Sequence, residues 1–194
     1  MPTQAERTEA TRSRLITTAR RLFGEKGFAA TSTEEILSEA EVSRGALYHH
    51  FSSKTDLFRA TFEAVEEELT AKLLAVATAG GETDPIKILE LGFNAFLDQC
   101  VNPEVQRIVM LDAPTVLGWD TWHELDERYA FGTIKAVLAV AAESGRIDTD
   151  AVDSLTHLLV GAVMQAGMVV ARADDPLAAK QVLGESFARL VSTL

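Results

Sequence analysis

The sequence predicts an all-α protein of about nine helices, in which a three-helix head is followed by a larger helical domain. Apolar residues recur at the three- and four-residue spacing of amphipathic helices, and few runs alternate as strands do. Glycine and proline residues separate the helical stretches, as at Gly80-Gly81, Gly118, Gly145 and Asp175-Pro176. The chain of 194 residues is long enough to form a small head and one larger domain with a buried core.

The helices follow one another along the whole chain. The first is amphipathic and ends near Gly27. Thr31 and Ser32, each followed three residues later by a glutamate, are capping signals for the second helix. Ser43 caps the short third helix, Arg44–His50. The pattern then predicts helices over residues 56–78, 85–101, 103–111, 119–143, 150–172 and 176–194, with a break in the chain at residues 112–114.

The stretch Thr31–Phe58 carries the strongest functional signal. Its short third helix, with fewer than 12 residues, is too short to be stable without its neighbours. Leu47 points to the core, whereas Tyr48 and the histidines beside it offer hydrogen-bond donors to the outside. Gly45 leaves the leading face without bulk, so the backbone can approach another surface closely. These properties suit a groove flanked by phosphates and therefore indicate DNA.

The stretch resembles the helix-turn-helix of the TetR family of bacterial transcriptional regulators. The resemblance rests on Thr33, Glu41-Val42-Ser43, Arg44-Gly45-Ala46-Leu47-Tyr48, His50-Phe51, Lys54, Leu57-Phe58 and the amphipathic helix that ends at Lys26-Gly27-Phe28. It covers about the first third of the chain, and the remainder is similar to the family in helical layout more than in motif. It implies a DNA-binding domain over residues 1–53 and an effector-binding and dimerisation domain over residues 54–194.

By the same resemblance, the third helix is a recognition helix that enters the major groove of a palindromic operator. Phosphate contacts would come from Thr33, Tyr48, His50 and Lys54. Base edges would face Arg44, Gly45 and His49. The full set of predicted DNA-binding residues is Thr33, Ser43, Arg44, Gly45, Ala46, Tyr48, His49, His50 and Lys54.

Charge is unevenly distributed along the chain. The whole chain has 18 basic and 29 acidic side chains, and a net charge of −11 disfavours DNA. Residues 1–60 hold nine basic and eight acidic side chains, a net of +1, so the acidic excess of −12 lies in residues 61–194. Arg7, Arg12 and Arg14 lie in the N-terminal arm and the first helix, and the arm fits a solvated, disordered tail as well as it fits contact with DNA.

The last two predicted helices are apolar over most of their circumference, so each must be buried on more than one side. One side can pack on its own domain and the other on a second subunit, which gives a four-helix bundle across a twofold axis. A monomeric core is the alternative, but a reader of palindromes needs two heads. The predicted homodimer interface consists of Leu155, Leu158, Leu159, Gly161, Ala162, Leu183, Phe187 and Leu190.

Large and polarizable side chains are concentrated in the middle of the chain. Ligand pockets combine mostly apolar walls with a few polar groups, although ordinary cores also contain aromatic stripes. The family resemblance favours a pocket for a small-molecule effector of unknown identity. The predicted ligand-binding residues are Phe93, Phe96, Met110, Trp119, Trp122, His123, Tyr129, Met164 and Met168.

Metal and cofactor binding are not expected. The adjacent His49 and His50 diverge by about 100° on a helix, and no third ligand is close in sequence. The fragment His123-Glu124-x-x-Glu127 is more simply a solvated helix face. Cys100 is the single cysteine, so no intrachain disulfide can form, and its apolar neighbours predict a buried, inert thiol. Without a signal peptide or an apolar run near twenty residues, we expect a soluble cytoplasmic protein away from membranes.

The sequence as a whole predicts a dimeric repressor that a small-molecule effector releases from its operator. The effector would move the long fourth helix, so that the heads no longer match a spacing of about 34–36 Å. An effector-independent DNA-binding dimer that acts through protein partners is one alternative, and an all-α enzyme is the other. Against the enzyme, the body has no Glu-x-x-His pair, no paired nucleophile and base, and no phosphate-binding glycine loop.

Overall fold

The computed structural model describes residues 3–194, apart from the side chains of residues 126 and 127. Within that part the chain forms nine helices and no strand, so the predicted all-α class is confirmed. The first four are α1 (Gln4–Lys26), α2 (Thr33–Ala40), α3 (Arg44–His50) and α4 (Lys54–Ala77). The others are α5 (Pro85–Cys100), α6 (residues 103–116), α7 (residues 119–143), α8 (Val152–Arg172) and α9 (Pro176–Val191).

The helices pack into two compact units. One unit runs to Val65 and also contains residues 103–120, while the other contains residues 66–102 and 121–194. Helix α6 therefore packs with the N-terminal helices, although about 40 residues of sequence separate it from them. The predicted boundary after residue 53 divides the chain by function, and it stays a prediction.

Helix α1 begins at the N-terminal end of the described chain, so the arginines there are helical. Thr3 Oγ1 accepts from the Glu6 N–H at 3.2 Å, and Glu6 Oε2 accepts from the Thr3 N–H at 2.6 Å, which completes a capping box. The arm with Arg7, Arg12 and Arg14 therefore belongs to α1, and the disordered tail that we considered is wrong.

Ser32 caps α2 as predicted, but Thr31 does not. Ser32 Oγ accepts from the Glu35 N–H at 3.1 Å. Thr31 is buried, and its hydroxyl donates to the Gly27 carbonyl at 2.9 Å and lies 3.3 Å from that of Leu22. Its side chain therefore binds carbonyl groups in the last turn of α1 and just beyond it.

Three phenylalanines form the centre of the first unit. Phe23, Phe28 and Phe58 lie in mutual contact, with ring centroids 5.7, 5.2 and 5.3 Å apart. Two of the three pairs meet edge to face, the geometry that the aromatic quadrupole favours. This cluster ties the end of α1 and the turn after it to the first turns of α4.

Helix α6 is continuous, so its predicted end at residue 111 and the predicted break at residues 112–114 are wrong. Gln106–Asp112 is π-helical and Ala113–Val116 is α-helical. The Ala113 N–H donates to the Ile108 carbonyl, five residues back. Pro114 follows in the first turn of the α-helical part. The wider π turn thus carries the chain through a proline that normally ends a helix.

Helix α5 occupies the centre of the second unit, where α7, α8 and α9 pack against it. The Phe93 ring of α5 stacks on Phe187 of α9, with centroids 3.8 Å apart and planes 10° apart. Cys100 is buried, and burial, with a smaller effect of Glu66, raises the pKa of its thiol to about 12. The prediction of a buried, inert thiol is confirmed.

One helical stretch, Thr149–Arg172, is long and apolar enough to span a membrane by length and composition alone. We expected no such run. Within the second unit the helix packs against α5, α7 and α9, and its buried Thr156 hydroxyl donates to the Val152 carbonyl. These are contacts of a core helix in a globular domain. However, only 33% of its apolar 18-residue segment is buried in this chain.

Candidate DNA interface and ligand region

Helix α3 is held by buried side chains on its inner face. Leu47 and Phe51 are almost fully buried in the first unit. Ser43 Oγ accepts from the Ala46 N–H at 3.2 Å, so the predicted N-cap is confirmed. The Phe51 N–H donates to the Leu47 carbonyl at 2.8 Å and ends the helix. Tertiary packing therefore stabilises a helix of seven residues that is too short to form alone.

The turn before α3 is set by a left-handed residue. Glu41 has φ 52° and ψ 44°, and it is the one non-glycine residue with a positive φ in the described chain. The Val42 N–H donates to the Leu37 carbonyl at 3.1 Å, which closes the end of α2. This tight turn fixes the direction in which α3 leaves α2.

The outer face of α3 is open. Arg44, Gly45 and His49 are exposed, and half of the Tyr48 surface (50%) is exposed. A Cβ atom added at Gly45 would meet no other atom within 4 Å. The structure thus brings together, on one uncovered surface, the side chains that the resemblance assigns to base edges and phosphates.

The residues predicted to contact phosphates flank this face. Thr33 is the first residue of α2, and His50 lies at the end of α3; both are half-buried. Burial, followed by the nearby His49 and Arg12, lowers the pKa of His50, which disfavours the charged form of its ring. The Arg12 guanidinium lies 5.6 Å from the Phe51 ring centroid, which places a cation of α1 beside the end of α3.

Lys54 has a structural role that its sequence position did not suggest. Its Nζ donates to the carbonyls of Phe28 and Thr31 at 2.8 and 2.9 Å and lies 4.0 Å from the Phe28 ring centroid. Burial lowers the pKa of this ammonium group. Lys54 therefore joins the start of α4 to the turn between α1 and α2, and its contact with a phosphate stays a prediction.

No group of three or more histidine, cysteine, aspartate or glutamate side chains in the described chain is placed to hold a metal ion. The rings of His49 and His50 meet edge to face, 5.3 Å apart. The fragment that begins at His123 includes the side chain of Glu127, which lies outside the described part.

The nine predicted ligand-binding residues are divided between the two units. Phe93, Phe96 and Trp122 are buried in the second unit. The half-buried residues there are His123, Tyr129, Met164 and Met168. Met110, which is buried, and Trp119, which is 67% exposed, belong to the first unit. The role of these residues in effector binding stays a prediction.

An open groove of about 500 Å³ lies between α5 and α9 in the second unit. It is lined by Glu90, Asn94, Leu177, Lys180, Gln181, Gly184, Glu185 and Ala188, none of which is a predicted ligand-binding residue. The Asn94 amide donates to the Glu90 carbonyl at 2.9 Å. A Cβ atom at Gly184 would lie 2.4 Å from Asn94 Oδ1, so any larger residue here would require the Asn94 side chain to move.

The predicted dimer interface is partly on the surface and partly in the core. Leu158, Gly161 and Leu190 are exposed, with 69% of Leu158 accessible. The half-buried members of the set are Leu155, Ala162 and Leu183. Leu159 and Phe187 are instead buried within their own unit. Exposed apolar residues of α8 and α9 that the prediction missed are Val169, Leu177 and Val182.

A short helix with an uncovered outer face, set by a tight turn on an all-α chain, defines a helix-turn-helix DNA-binding protein. Residues 15–61 match the family model of bacterial regulatory proteins of the tetR family. Residues 86–194 match the model of the tetracyclin repressor-like C-terminal domain. The chain belongs to the TetR family of transcriptional regulators.

Relatives of known sequence or structure agree with this membership. The TetC protein of transposon Tn10 from Escherichia coli is 29% identical over 158 residues, which are 81% of this chain and 79% of TetC. The crystal structure of a TetR-family regulator from Pectobacterium atrosepticum has a TM-score of 0.82 and 30% identity, and the match covers 97% and 95% of the two chains. RolR, solved with its ligand resorcinol, has a TM-score of 0.74, 23% identity and coverage of 96% and 90%, a likeness in fold alone.

Proposed function

We propose that this regulator is a repressor that binds a palindromic operator as a homodimer and is released by a small-molecule effector. The observation that carries the proposal is the open outer face of α3, which presents Arg44, Gly45, Tyr48 and His49 beside one another. An α-helix of this kind fits the major groove, where donors and acceptors of base edges are distinct. The protein acts in the cytoplasm, where operators are.

Contacts to phosphates and bases divide by position. In this proposal Tyr48 and Thr33 donate hydrogen bonds from their hydroxyl groups to phosphates, and the N–H groups of His50 and Lys54 donate to phosphates of the same groove. Ser43 and Ala46 line the start of α3, where close approach is needed. Arg44 and His49 are the donors that reach base edges.

A second subunit covers the exposed apolar side chains of α8 and α9. Leu158, Leu177 and Val182 are each at least 64% exposed in the single chain, although leucine and valine are usually buried. They lie on the two helices whose apolar character predicted a four-helix bundle. Two copies joined there also supply the two heads that a palindrome requires.

The effector binds in the second unit, where Phe93, Phe96 and Trp122 supply apolar surface, and His123 and Tyr129 supply polar groups. RolR has the same fold and was solved with resorcinol, a small aromatic ligand. Binding of a molecule that prefers one spacing of the two heads shifts the population toward that spacing.

Selection of bound DNA sequences by the purified protein tests DNA recognition. A palindrome with half-sites about one helical turn apart is expected. Tyr48→Ala should lower affinity for the selected site at least about tenfold, because it removes a hydrogen bond to a charged group together with contact surface. Val140→Ala, which trims an equally exposed side chain of α7, should not change it. Failure of the wild-type protein to enrich any sequence would overturn the proposal.

Sedimentation equilibrium tests the dimer. Leu158→Lys and Val182→Lys should each shift the protein toward monomer, because a charge would be buried in an apolar interface. Val140→Lys is the matched control, since Val140 is an exposed valine of α7. Equal dimerisation of all three variants would contradict the proposed interface.

Measurement of operator affinity in the presence of small molecules tests whether an effector releases the protein from DNA. A panel of small phenols that includes resorcinol should contain a compound that both raises the melting temperature and lowers operator affinity. A panel that raises melting temperature without any change in operator affinity would favour the effector-independent dimer instead.

A further inference from the structure

An ion pair joins α2 to α3 on the uncovered face. Arg44, the first residue of α3, donates from Nη2 to Oε1 of Glu34, the second residue of α2, at 3.2 Å. The two side chains are 66% and 69% exposed. Glu34 therefore lies on the same surface as the predicted base-reading side chains, although the DNA-binding prediction did not include it.

Arg44 is held from a second direction as well. Its guanidinium carbon lies 6.0 Å from the centroid of the Tyr48 ring, at the limit of a cation–π contact. A guanidinium group has five N–H donors in a planar fork. With one donor on Glu34 and one face toward Tyr48, other donors of the fork stay available for an acceptor in front of α3.

A carboxylate at this place needs an explanation, because it repels the phosphates of DNA. The helix dipole favours an acidic residue in the first turn of α2, but it does not explain the pairing with Arg44, and an exposed ion pair itself contributes little to folding. The same carboxylate can, however, restrict the directions that a long arginine side chain takes. A restricted guanidinium loses less conformational freedom when it binds, and it is less free to turn to the nearest phosphate.

We propose that Glu34 is a specificity-determining residue that orients Arg44 toward the O6 and N7 atoms of one guanine in the operator. The proposal rests on the proposed function, in which α3 enters the major groove. Arginine that meets guanine through two N–H groups gives the commonest specific contact in that groove. Glu34 is a positioning residue in this arrangement, because it acts on the base through Arg44.

Opposite effects on affinity and specificity follow from this role. Removal of the Glu34 charge should strengthen binding to DNA of any sequence, because a repulsion disappears. Removal of its carboxylate should also weaken the preference for guanine at one base pair, because Arg44 gains other directions. A carboxylate that only repels DNA would produce the first effect without the second.

The experiment compares Glu34→Ala and Glu34→Gln with Glu39→Ala and Glu39→Gln. Glu39 is a suitable control, because it lies on the same helix and pairs with Arg21 instead of Arg44. Sequence selection with the wild-type protein supplies the operator, and Arg44→Ala identifies the base pair that Arg44 reads. Fluorescence anisotropy then measures affinity for the operator, for the three substitutions of that pair, and for unrelated DNA.

Glu34→Ala should lower the preference for guanine about threefold to fivefold, the effect of one exposed ion pair. Glu34→Gln, which keeps an acceptor but not the charge, should have a smaller effect. The Glu39 variants should change affinity for all sequences alike. In the Arg44→Ala background, Glu34→Ala should no longer change the preference at that pair.

Three results would overturn the inference. One is an unchanged guanine preference in Glu34→Ala, and another is an equal loss in the Glu39 variants. The third is an Arg44→Ala protein that loses affinity uniformly, since Arg44 would then bind phosphate alone. The first two leave the proposed function standing, and the third removes only its assignment of Arg44 to base edges, whereas a wild-type protein that selects no sequence overturns both proposals. Thermal unfolding of each variant verifies that the head remains folded.

Discussion

At the scale of single residues, Lys54 illustrates how a side chain that was predicted to bind DNA also stabilises the fold. Its ammonium group donates to two backbone carbonyls and covers the Phe28 ring. We expect Lys54→Met to lower the free energy of unfolding by about 1.5–3 kcal/mol, because both carbonyls lose a charged donor. Urea denaturation measures this change.

Lys72→Met is the control for this prediction. Lys72 lies on the same helix but pairs with Glu68 in an exposed i,i+4 arrangement, so its loss should cost about 0.5 kcal/mol or less. Equal stability of the two variants would contradict the structural role of Lys54. If the prediction holds, weaker DNA binding by a Lys54 variant is no proof of a lost phosphate contact, because the head itself is weakened.

Residue roles were predictable from the sequence wherever a local rule decides them. Ser43 and Ser32 cap their helices because the capping rule depends on a few neighbouring positions. Thr31 and Lys54 satisfy carbonyls that tertiary packing brings to them, and no local pattern announces such partners. The ion pair of Glu34 was not predicted for the same reason, since its partner Arg44 is ten residues away across a turn.

At the scale of elements, the turn between α2 and α3 holds an avoidable strain. Glu41 adopts the left-handed conformation, which costs a residue with a Cβ atom about 1–2 kcal/mol. We expect Glu41→Gly to raise the free energy of unfolding by about 0.5–1 kcal/mol, after allowance for the more flexible unfolded chain. Thermal or urea denaturation gives the value.

The comparison is with Ser38→Gly, an exposed position inside α2. Glycine there should lower stability by about 0.5 kcal/mol, because the backbone is helical and gains nothing from a missing Cβ atom. The prediction fails if both glycine variants change stability in the same direction.

Helix α6 is the element that the sequence misplaced most. Pro114 predicted a break in the helix. The π turn before it, which packs against α1, keeps the helix continuous. Its assignment to the first unit follows from contacts far apart in sequence. Arg20 of α1 binds both carboxylate oxygens of Glu104 at 2.8 Å, and Asp112 Oδ2 accepts from the Phe28 N–H at 2.7 Å.

Asp112 gives a prediction for this packing. Asp112→Ala leaves the half-buried Phe28 N–H without its acceptor, so the first unit should lose about 1–3 kcal/mol of stability. Hydrogen exchange followed by mass spectrometry should show faster exchange of the backbone amides from residue 28 through α3. Asp112→Asn, which keeps an oxygen acceptor, should retain most of the protection.

Asp98→Ala serves as the control in the second unit. Asp98 is exposed and pairs with Lys180, so its loss should leave exchange in α2 and α3 unchanged. Unchanged exchange in Asp112→Ala as well would show that the hydrogen bond between Asp112 and the Phe28 N–H contributes little to the stability of the head.

For the whole molecule, the fold class and the helix-turn-helix were predictable because both depend on short-range patterns. The exposed surfaces were harder to predict. Periodicity shows that a helix is apolar over most of its circumference, but it does not show which side its own domain covers. Leu159 and Phe187 turn inward while Leu177 and Val182 remain outside, a choice made by packing on α5. The division of the nine candidate pocket residues between two units was likewise decided by packing between helices and not by a local sequence pattern.

Charge and symmetry together give a prediction for the proposed dimer. The first 60 residues carry a net charge of +1 and the remainder −12, so the attraction to DNA is confined to the heads. Each head that binds releases counterions from the phosphates it neutralises, and the logarithm of affinity falls linearly with that of salt concentration. Two heads on a full palindrome should therefore give a slope about twice that of a half-site. Fluorescence anisotropy between about 50 and 300 mM KCl measures both slopes.

A Leu158→Lys protein that no longer dimerises should show the half-site slope on either DNA, because only one head can engage. If its slope on the palindrome equals that of the wild-type protein, the two heads do not bind DNA as one unit. The acidic residues 61–194 of the two chains then play no part in joining the heads.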